Sequence, residues 1–454
     1  MNSTHTYSHP HGNVLYRKLR QQYPCMVRGE GVCLFDQNGK RYLDASGGAI
    51  VANLGHGNQA VAEAIAKQAA ESVGYVSGML FTHEAVEKLA EALCAVAPSG
   101  MNKAFFLSGG SEATEAAMKL ARQYWMAKGI PTKYKIISRM PSYHGNTLGA
   151  MGVSGRQAYR ALFQPLYIDH PKIAPPLCYR CPWGKTFPQC DYECAQALEL
   201  AIQKEGAETV AAFMAEPVLG STGAAMVPPS EYYPRVAEIC RKHDVLFIAD
   251  EIMCGMGRTG EWFAIASYGV TPDIMLVGKG LSGGYVPLSG FVARGELIDA
   301  IYASGNDFMH AQTFAHHPVA CAAGLATIRY LQEHKLIERC REMGLYLHEQ
   351  LKRFHSHPLV GEVRGKGLFA GLEMAADKTT RAPFARNLKV AEKISAEALS
   401  RGLIVWTNTG HVDGTNGDAI LLAPPFIVTR EQIDEIIALL EQAMNAAARS
   451  LHDK

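Results

Sequence analysis

KAFFLSGGSEATEAAMKLARQYWMAK, residues 103–128, passes from a short apolar run through paired glycines into a stretch whose apolar residues fall at helical spacing. A strand-length run that opens directly onto an amphipathic helix is the building unit of a parallel α/β sheet. Further runs follow at YKIIS (134–138), VAAFMAEP (210–217), VLFIAD (245–250), DIMLVG (273–278) and LSGFVA (288–293). They are nearly continuous in apolar residues, as expected of strands covered on both faces. Helical patterns with apolar stripes and charged faces stand at 84–95, 111–128, 317–334 and 430–449.

Working outward, VRGEGVCLFDQNGKRYLD (27–44) reads as a β-meander with a turn at Asn38-Gly39. A chain of 454 residues divides into more than one compact unit. The expected architecture is α/β: a mostly parallel central sheet with flanking helices in a large domain (66–328), plus a smaller α+β lobe drawn from both termini (1–65 and 329–454).

Charge is nearly balanced, 44 basic against 43 acidic residues, so no basic field draws the chain to nucleic acid or an anionic membrane. The N-terminus MNSTHTYSHPHGN has no apolar signal core, and no stretch reaches the length of a membrane span. A cytoplasmic protein with a small solvent-borne substrate is expected. His5, His9 and His11 sit in a polar terminal tail and receive no function. Of the eleven cysteines, Cys178, Cys181, Cys190 and Cys194 read C-x2-C-x8-C-x3-C, within the loose range of zinc spacing. They are a candidate structural metal site; the alternative is a loop whose thiols pack against its own aromatics.

Three places carry chemistry. Ser108-Gly109-Gly110-Ser111 joins a strand to a helix N-terminus, where backbone N–H groups and the helix dipole favour an anion; Ser111 is equally suited to be an ordinary N-cap. Asp250 closes VLFIAD, and the carboxyl ends of parallel strands are where ligands bind. Lys279 follows DIMLVG between Gly278 and Gly280, off any polar face, a setting that lowers a lysine pKa and suits Schiff-base formation. Two literal G-x-G-x-x-G matches, 255–260 and 278–283, do not make a dinucleotide site: the first lacks the tight strand-to-helix turn, and the second puts Lys279 where backbone would approach pyrophosphate.

These residues, in this order, resemble the class III aminotransferases of the fold-type I pyridoxal-phosphate superfamily, from about residue 20 to 445. LDASGGAIVANLGHG (43–57), SGGSEATEAAMKLAR (108–122), Ser-Tyr-His-Gly-Asn-Thr (142–147), Glu216-Pro217, IADEIMCGMGRTG (248–260), VGKGLSGGYVPLSG (277–290) and HAQTFAHHPVACAAG (310–324) carry the resemblance. It implies pyridoxal 5'-phosphate as cofactor, with Gly109, Gly110 and Ser111 at its phosphate and Tyr143 stacked on its ring beside His144. It further implies Asp250 at the pyridine nitrogen, Ile252 on the other face, and Lys279 as covalent anchor and proton shuttle. Lys279, Asp250 and Glu216 are the expected catalytic residues. The resemblance also implies a homodimer, possibly a dimer of dimers, in which Thr313 reaches the neighbouring subunit's phosphate.

The chain departs from the family where substrate is held. Ile50 stands where many amine–pyruvate members have Trp, and neither Gly402–Trp406 nor Ile420–Pro424 holds the arginine that binds a second carboxylate. Arg156, Arg180 and Arg41 are unranked candidates for the acceptor carboxylate, while Tyr23 and Trp406 are candidate pocket walls. The expected reaction transfers an amino group from an ω-amino acid or amine to pyruvate or 2-oxoglutarate by a ping-pong route through pyridoxamine phosphate. The alternatives are a decarboxylase or lyase on the same cofactor, and a metal-bearing structural or binding protein built around the cysteines.

Overall fold

The computed structural model describes residues 7–452; His5 lies outside the described residues. Strands β1 (Met26–Glu30), β2 (Cys33–Asp36) and β3 (Arg41–Asp44) form the expected meander. The Asn38-Gly39 turn is fastened by the Asp36 carboxylate, which accepts from the Asn38 and Lys40 backbone N–H groups, while Gly39 takes φ +79°.

The sheet domain carries β4 (Met101–Leu107), β5 (Lys135–Arg139), β6 (Lys172–Ile173), β7 (Val210–Ala215), β8 (Leu246–Asp250), β9 (Ile274–Val277) and β10 (Ser289–Arg294) in the spatial order β4-β10-β9-β8-β7-β5-β6. Strands β6, β5, β7, β8 and β9 are parallel neighbours, whereas β10 runs antiparallel between β4 and β9. LSGFVA is therefore a strand at the expected place but of reversed direction. The connection 278–288 holds only a short 3-10 turn at Lys279–Leu281, too little chain for the crossover helix that a parallel return needs. Every residue of β7, β8 and β9 is buried, as expected of a sheet covered on both faces.

The helix Gly110–Ala127 lays Ala113, Ala116, Ala117, Leu120, Ala121 and Trp125 on the sheet, where its small residues bring the backbone close to β7 and β9. Helices Glu84–Val96, Pro318–Glu333 and Arg430–His452 match the remaining helical patterns to within a few residues.

The C-terminal region adds β11 (Val360–Gly365), β12 (Ala370–Met374), β13 (Leu403–Ile404), β14 (Trp406–Thr409) and β15 (Asp418–Leu422), none of which stood out as a strand in the sequence. Strands β11, β12, β15 and β14 make an antiparallel sheet, while β13 pairs in parallel with β3 and joins the two ends of the chain. Fully buried Arg258 locks these parts together, donating to the carbonyls of Leu368 and Pro424 and to Asn53 Oδ1 at 2.7–2.9 Å. This is the structural use of the first G-x-G-x-x-G match. No helix among the described residues is long and apolar enough to cross a membrane.

Candidate active site

Strands β4, β5, β7, β8 and β9 all end at one edge of the sheet, because β4 and β9 share a direction across antiparallel β10. The residues singled out in the sequence follow those ends: the glycine loop after β4, Tyr143-His144 after β5, Glu216 after β7, Asp250 closing β8, and Lys279 after β9.

Asp250 is buried at 3 % exposure. Its Oδ1 accepts from the Ile252 backbone N–H at 3.1 Å, and its Oδ2 lies 2.7 Å from His144 Nδ1. An ionised carboxylate only accepts, so His144 carries its proton on Nδ1. The ring is fixed from behind: Ser154 Oγ accepts from the His144 N–H at 2.8 Å, and Thr114 Oγ1 donates to the His144 carbonyl at 2.6 Å. Nothing in the sequence marked Ser154 or Thr114, which act through the backbone.

Ile252 is brought under the glycine loop and the lysine segment together. A Cβ added at Gly110 would stand 3.0 Å from Ile252 Cδ1, so only glycine lets the loop come this close. Gly145, at φ +138°, is packed equally tightly: its Cβ would meet Ser111 Oγ at 2.6 Å. Ser111 Oγ exchanges hydrogen bonds with Asn146, donating to Oδ1 at 2.8 Å and accepting from the backbone N–H at 2.9 Å. Ser111 is therefore not the N-cap. That position belongs to Gly109, which has no side chain to cap with, and Glu112 Oε2 accepts the Ser108 and Gly109 N–H groups at 3.1 and 2.9 Å instead. The Gly109 N–H is consumed by this contact. At the helix N-terminus the N–H groups of Gly110 and Ser111, which have no intrahelical acceptor, remain to face an anion. Gln312 donates to Glu112 Oε1 at 3.1 Å and to Ser108 Oγ at 3.3 Å, bracing the loop from its far side.

Lys279 sits at φ +44°, a left-handed conformation costly for a side-chain-bearing residue and retained at functional positions when its surroundings impose it. Burial lowers its pKa to about 8, against the pull of Asp250, Cys254 and Glu216, which favour the charged form. Only the neutral form of an amine is nucleophilic, and the neutral fraction at Lys279 rises as pH climbs through the folded-state value. Imine formation between Lys279 and an added aldehyde should therefore accelerate through about pH 8, well below the ordinary lysine value of 10.5, and level off above it. Stopped-flow absorbance checks this; a rate still climbing steeply at pH 10 would contradict it.

Glu216, expected to be catalytic, accepts from the Tyr143 backbone N–H at 3.3 Å through Oε1. Burial raises its pKa, while His144 and Arg139 oppose that rise. Its Oε2 lies 3.6 Å from the buried Arg139, an ion pair without a hydrogen bond, and its carbonyl accepts from Arg139 and from Tyr233 Oη at 2.5 and 2.6 Å. These contacts position the Tyr143 segment.

Among the candidate substrate residues, buried Ile50 and half-buried Trp406 belong to one apolar cluster with Cys254 and Met253, four residues or fewer beyond Asp250. Tyr23 stacks on Tyr16 at 4.7 Å and lines a groove against the helix Val390–Ser400. Thr313 is exposed, its carbonyl accepting from Tyr75 Oη at 3.1 Å.

The thiols of Cys178, Cys181, Cys190 and Cys194 border one small cavity together with Trp183, Phe187 and Tyr192. Among the described residues no three Cys, His, Asp or Glu side chains form a group that would hold a metal ion. Burial pushes the Cys194 thiol up to about 12.

A lysine, a carboxylate and a helix N-terminus stand at the carboxyl edge of this mixed sheet, whose architecture is that of fold type I. The chain belongs to the class III aminotransferases: the family model "Aminotransferase class-III" matches residues 16–444. It is 37 % identical to a putrescine–pyruvate aminotransferase of Pseudomonas aeruginosa, over 96 % of this chain and 94 % of that protein. It is 36 % identical to a diaminobutyrate–2-oxoglutarate transaminase of Halomonas elongata, over 99 % and 94 %. The crystal structure of an (S)-enantioselective omega-transaminase from Thermomicrobium roseum superposes with a TM-score of 0.90 at 38 % identity, over 97 % and 96 %. The protein is thus a pyridoxal-phosphate-dependent aminotransferase, which removes the reading as a metal-bearing structural protein.

Proposed function

We propose that the enzyme transfers an amino group from an ω-amino acid or amine to pyruvate or 2-oxoglutarate in two half-reactions. The observation that carries the reading is the buried His144–Asp250 pair at 2.7 Å, whose carboxylate acts on the charge of Lys279. The residues fit the cofactor: the Gly110–Ile252 approach leaves a cradle that a Cβ would fill, and His144 Nε2 is buried without a hydrogen-bond partner. When bound, pyridoxal phosphate would supply the carbon that takes up the amino group and a ring that accepts electron density.

Gly110, Ser111 and the helix dipole would hold the phosphate, Tyr143 and Ile252 would bracket the ring, and Asp250 would keep the ring nitrogen protonated. Lys279 anchors the cofactor and then, as a free amine of lowered basicity, carries a proton away from the substrate carbon and returns it. Ile50 and Trp406 exclude water from the substrate side.

The likeness to a putrescine–pyruvate aminotransferase and a diaminobutyrate–2-oxoglutarate transaminase, together with the apolar wall, supports an amine or ω-amino acid donor. A panel of amines and ω-amino acids tested with each acceptor, read by product mass, should show turnover that stops when the 2-oxo acid is withheld. Turnover without an acceptor would replace this reading with the lyase or decarboxylase alternative.

We propose in addition that the enzyme acts as a homodimer, with Thr313 serving the neighbouring site. Exposed Tyr75, Met79, Leu80, Phe81 and Phe314 lie around the Thr313 segment, and exposed apolar patches of this kind mark protein interfaces. Light scattering of the same preparation giving the mass of a single chain would overturn this.

A further inference from the structure

A 2-oxo acid carries a carboxylate, and the C-terminal lobe has no arginine in the two places where relatives that bind a second carboxylate keep one. The structure ranks the three candidates. Arg41 is exposed and engaged bidentately by Glu435 at 2.7 and 2.9 Å. Arg180 is ion-paired through Nε with the buried carboxylate of Glu373 at 2.5 Å, while its Nη2 is buried without a hydrogen-bond partner. Arg156 makes no ion pair with any carboxylate of the described residues; its guanidinium lies 5.0 Å from the centre of the Tyr159 ring. Tyr159 in turn meets Tyr143 edge-on at 6.5 Å, so the cation stands one aromatic ring behind the residue expected to stack on the cofactor.

Arg156 also lines a cavity of about 220 Å³ together with Thr222, Asn408, His411 and Asp413. Asn408 and Thr222 are buried at 1 and 4 % exposure, and Asn408 Nδ2 and Thr222 Oγ1 have no hydrogen-bond partner. Buried donors without acceptors are costly and rare, and a ligand that accepts from them removes the cost. The one carboxylate of the cavity wall does not compete for them: Asp413 is held within its own loop, accepting from the backbone N–H groups of Thr415 and Asn416 and from the Asn416 amide. His411 is turned to Glu373, with its Nε2 3.3 Å from that carboxylate.

A positive fork, an amide and a hydroxyl around one small cavity form a carboxylate-binding set. We propose that Arg156, with Asn408 and Thr222, binds the carboxylate of the 2-oxo acid acceptor. This specificity subsite rests on the transaminase reading above and supplies the cation that the C-terminal lobe lacks.

The test uses cofactor-loaded enzyme and separates the half-reactions spectroscopically. A carboxylate-free amine drawn from the donor panel serves for the first, and pyruvate for the second. In Arg156→Ala the pyruvate concentration for half-maximal rate should rise about tenfold or more, while the amine half-reaction keeps its rate. Arg156→Lys should fall between Ala and wild type, and Asn408→Asp should weaken pyruvate by adding a like charge. Arg41→Ala is the control and should leave pyruvate binding unchanged. Calorimetric binding of propanoate, an inert carboxylate, should weaken in parallel in Arg156→Ala.

A pyruvate requirement within about twofold of wild type in both Arg156 variants overturns the subsite. If Arg156→Ala loses its fold, seen as a lowered melting midpoint, Arg156→Lys and Asn408→Asp decide the matter. A wild-type enzyme with no amine half-reaction refutes the transaminase reading instead, and propanoate binding then still judges the subsite.

Discussion

Lys279→Ala should lower transamination at least about 10³-fold, within the range that positioned acid–base groups supply, and should abolish the borohydride-reducible link between protein and cofactor. The alanine methyl can neither join the cofactor nor carry a proton, and the neighbouring groups do not replace it. Asp250 and Glu216 are carboxylates committed to His144 and to the Tyr143 backbone. The fold should survive. In the wild type, burial penalises the ammonium enough to lower its pKa to about 8, so removing it removes a desolvation cost. The melting midpoint of the cofactor-free mutant should therefore not fall. Mass spectrometry after borohydride treatment decides the matter: a covalent adduct in the mutant equal to that of wild type would place the anchor elsewhere.

Asp250→Asn should keep the fold and reduce turnover about 10²–10³-fold, the scale of losing one preorganised electrostatic contact in a water-excluded site. The substitution is nearly isosteric but neutral, and an amide cannot hold a proton on the ring nitrogen. It also upsets local accounting. Asp250 accepts from the Ile252 N–H through one oxygen and faces His144 Nδ1 with the other, whereas asparagine offers a single oxygen. One donor is left against an NH₂ group, at a cost of about 1–3 kcal/mol in stability. Thermal unfolding should register that loss, and steady-state kinetics the larger catalytic one. Near-normal turnover would remove the role of Asp250 at the ring nitrogen.

The legible part of this site consists of residues whose meaning is local. Asp250 closes one buried apolar strand and Lys279 follows another, and a parallel sheet aligns the ends of such strands. The helix Gly110–Ala127 announces itself in its small-residue face and its glycine start. The loop chemistry was less legible: Ser111 has the look of a cap, yet its hydroxyl goes to Asn146, and Glu112 takes the N–H groups in its place. The reversal of β10 was also hidden, because an apolar run reads alike in either direction; only the shortness of 278–288 hints at it.

By itself the sequence determined the α/β sheet, the order of its strand-end residues and, through the motifs from 43 to 324, the family and its cofactor. These follow from short-range pattern, since strand length, helical spacing and a glycine turn are properties of neighbouring residues. The tertiary structure alone decided which arginine is free. Arg41 and Arg180 are ion-paired with Glu435 and Glu373, partners 394 and 193 positions away, and Tyr23 lines a groove against Val390–Ser400. An ion pair is a matter of distance in space, and no spacing along the chain reveals which of three like charges the fold leaves unpaired.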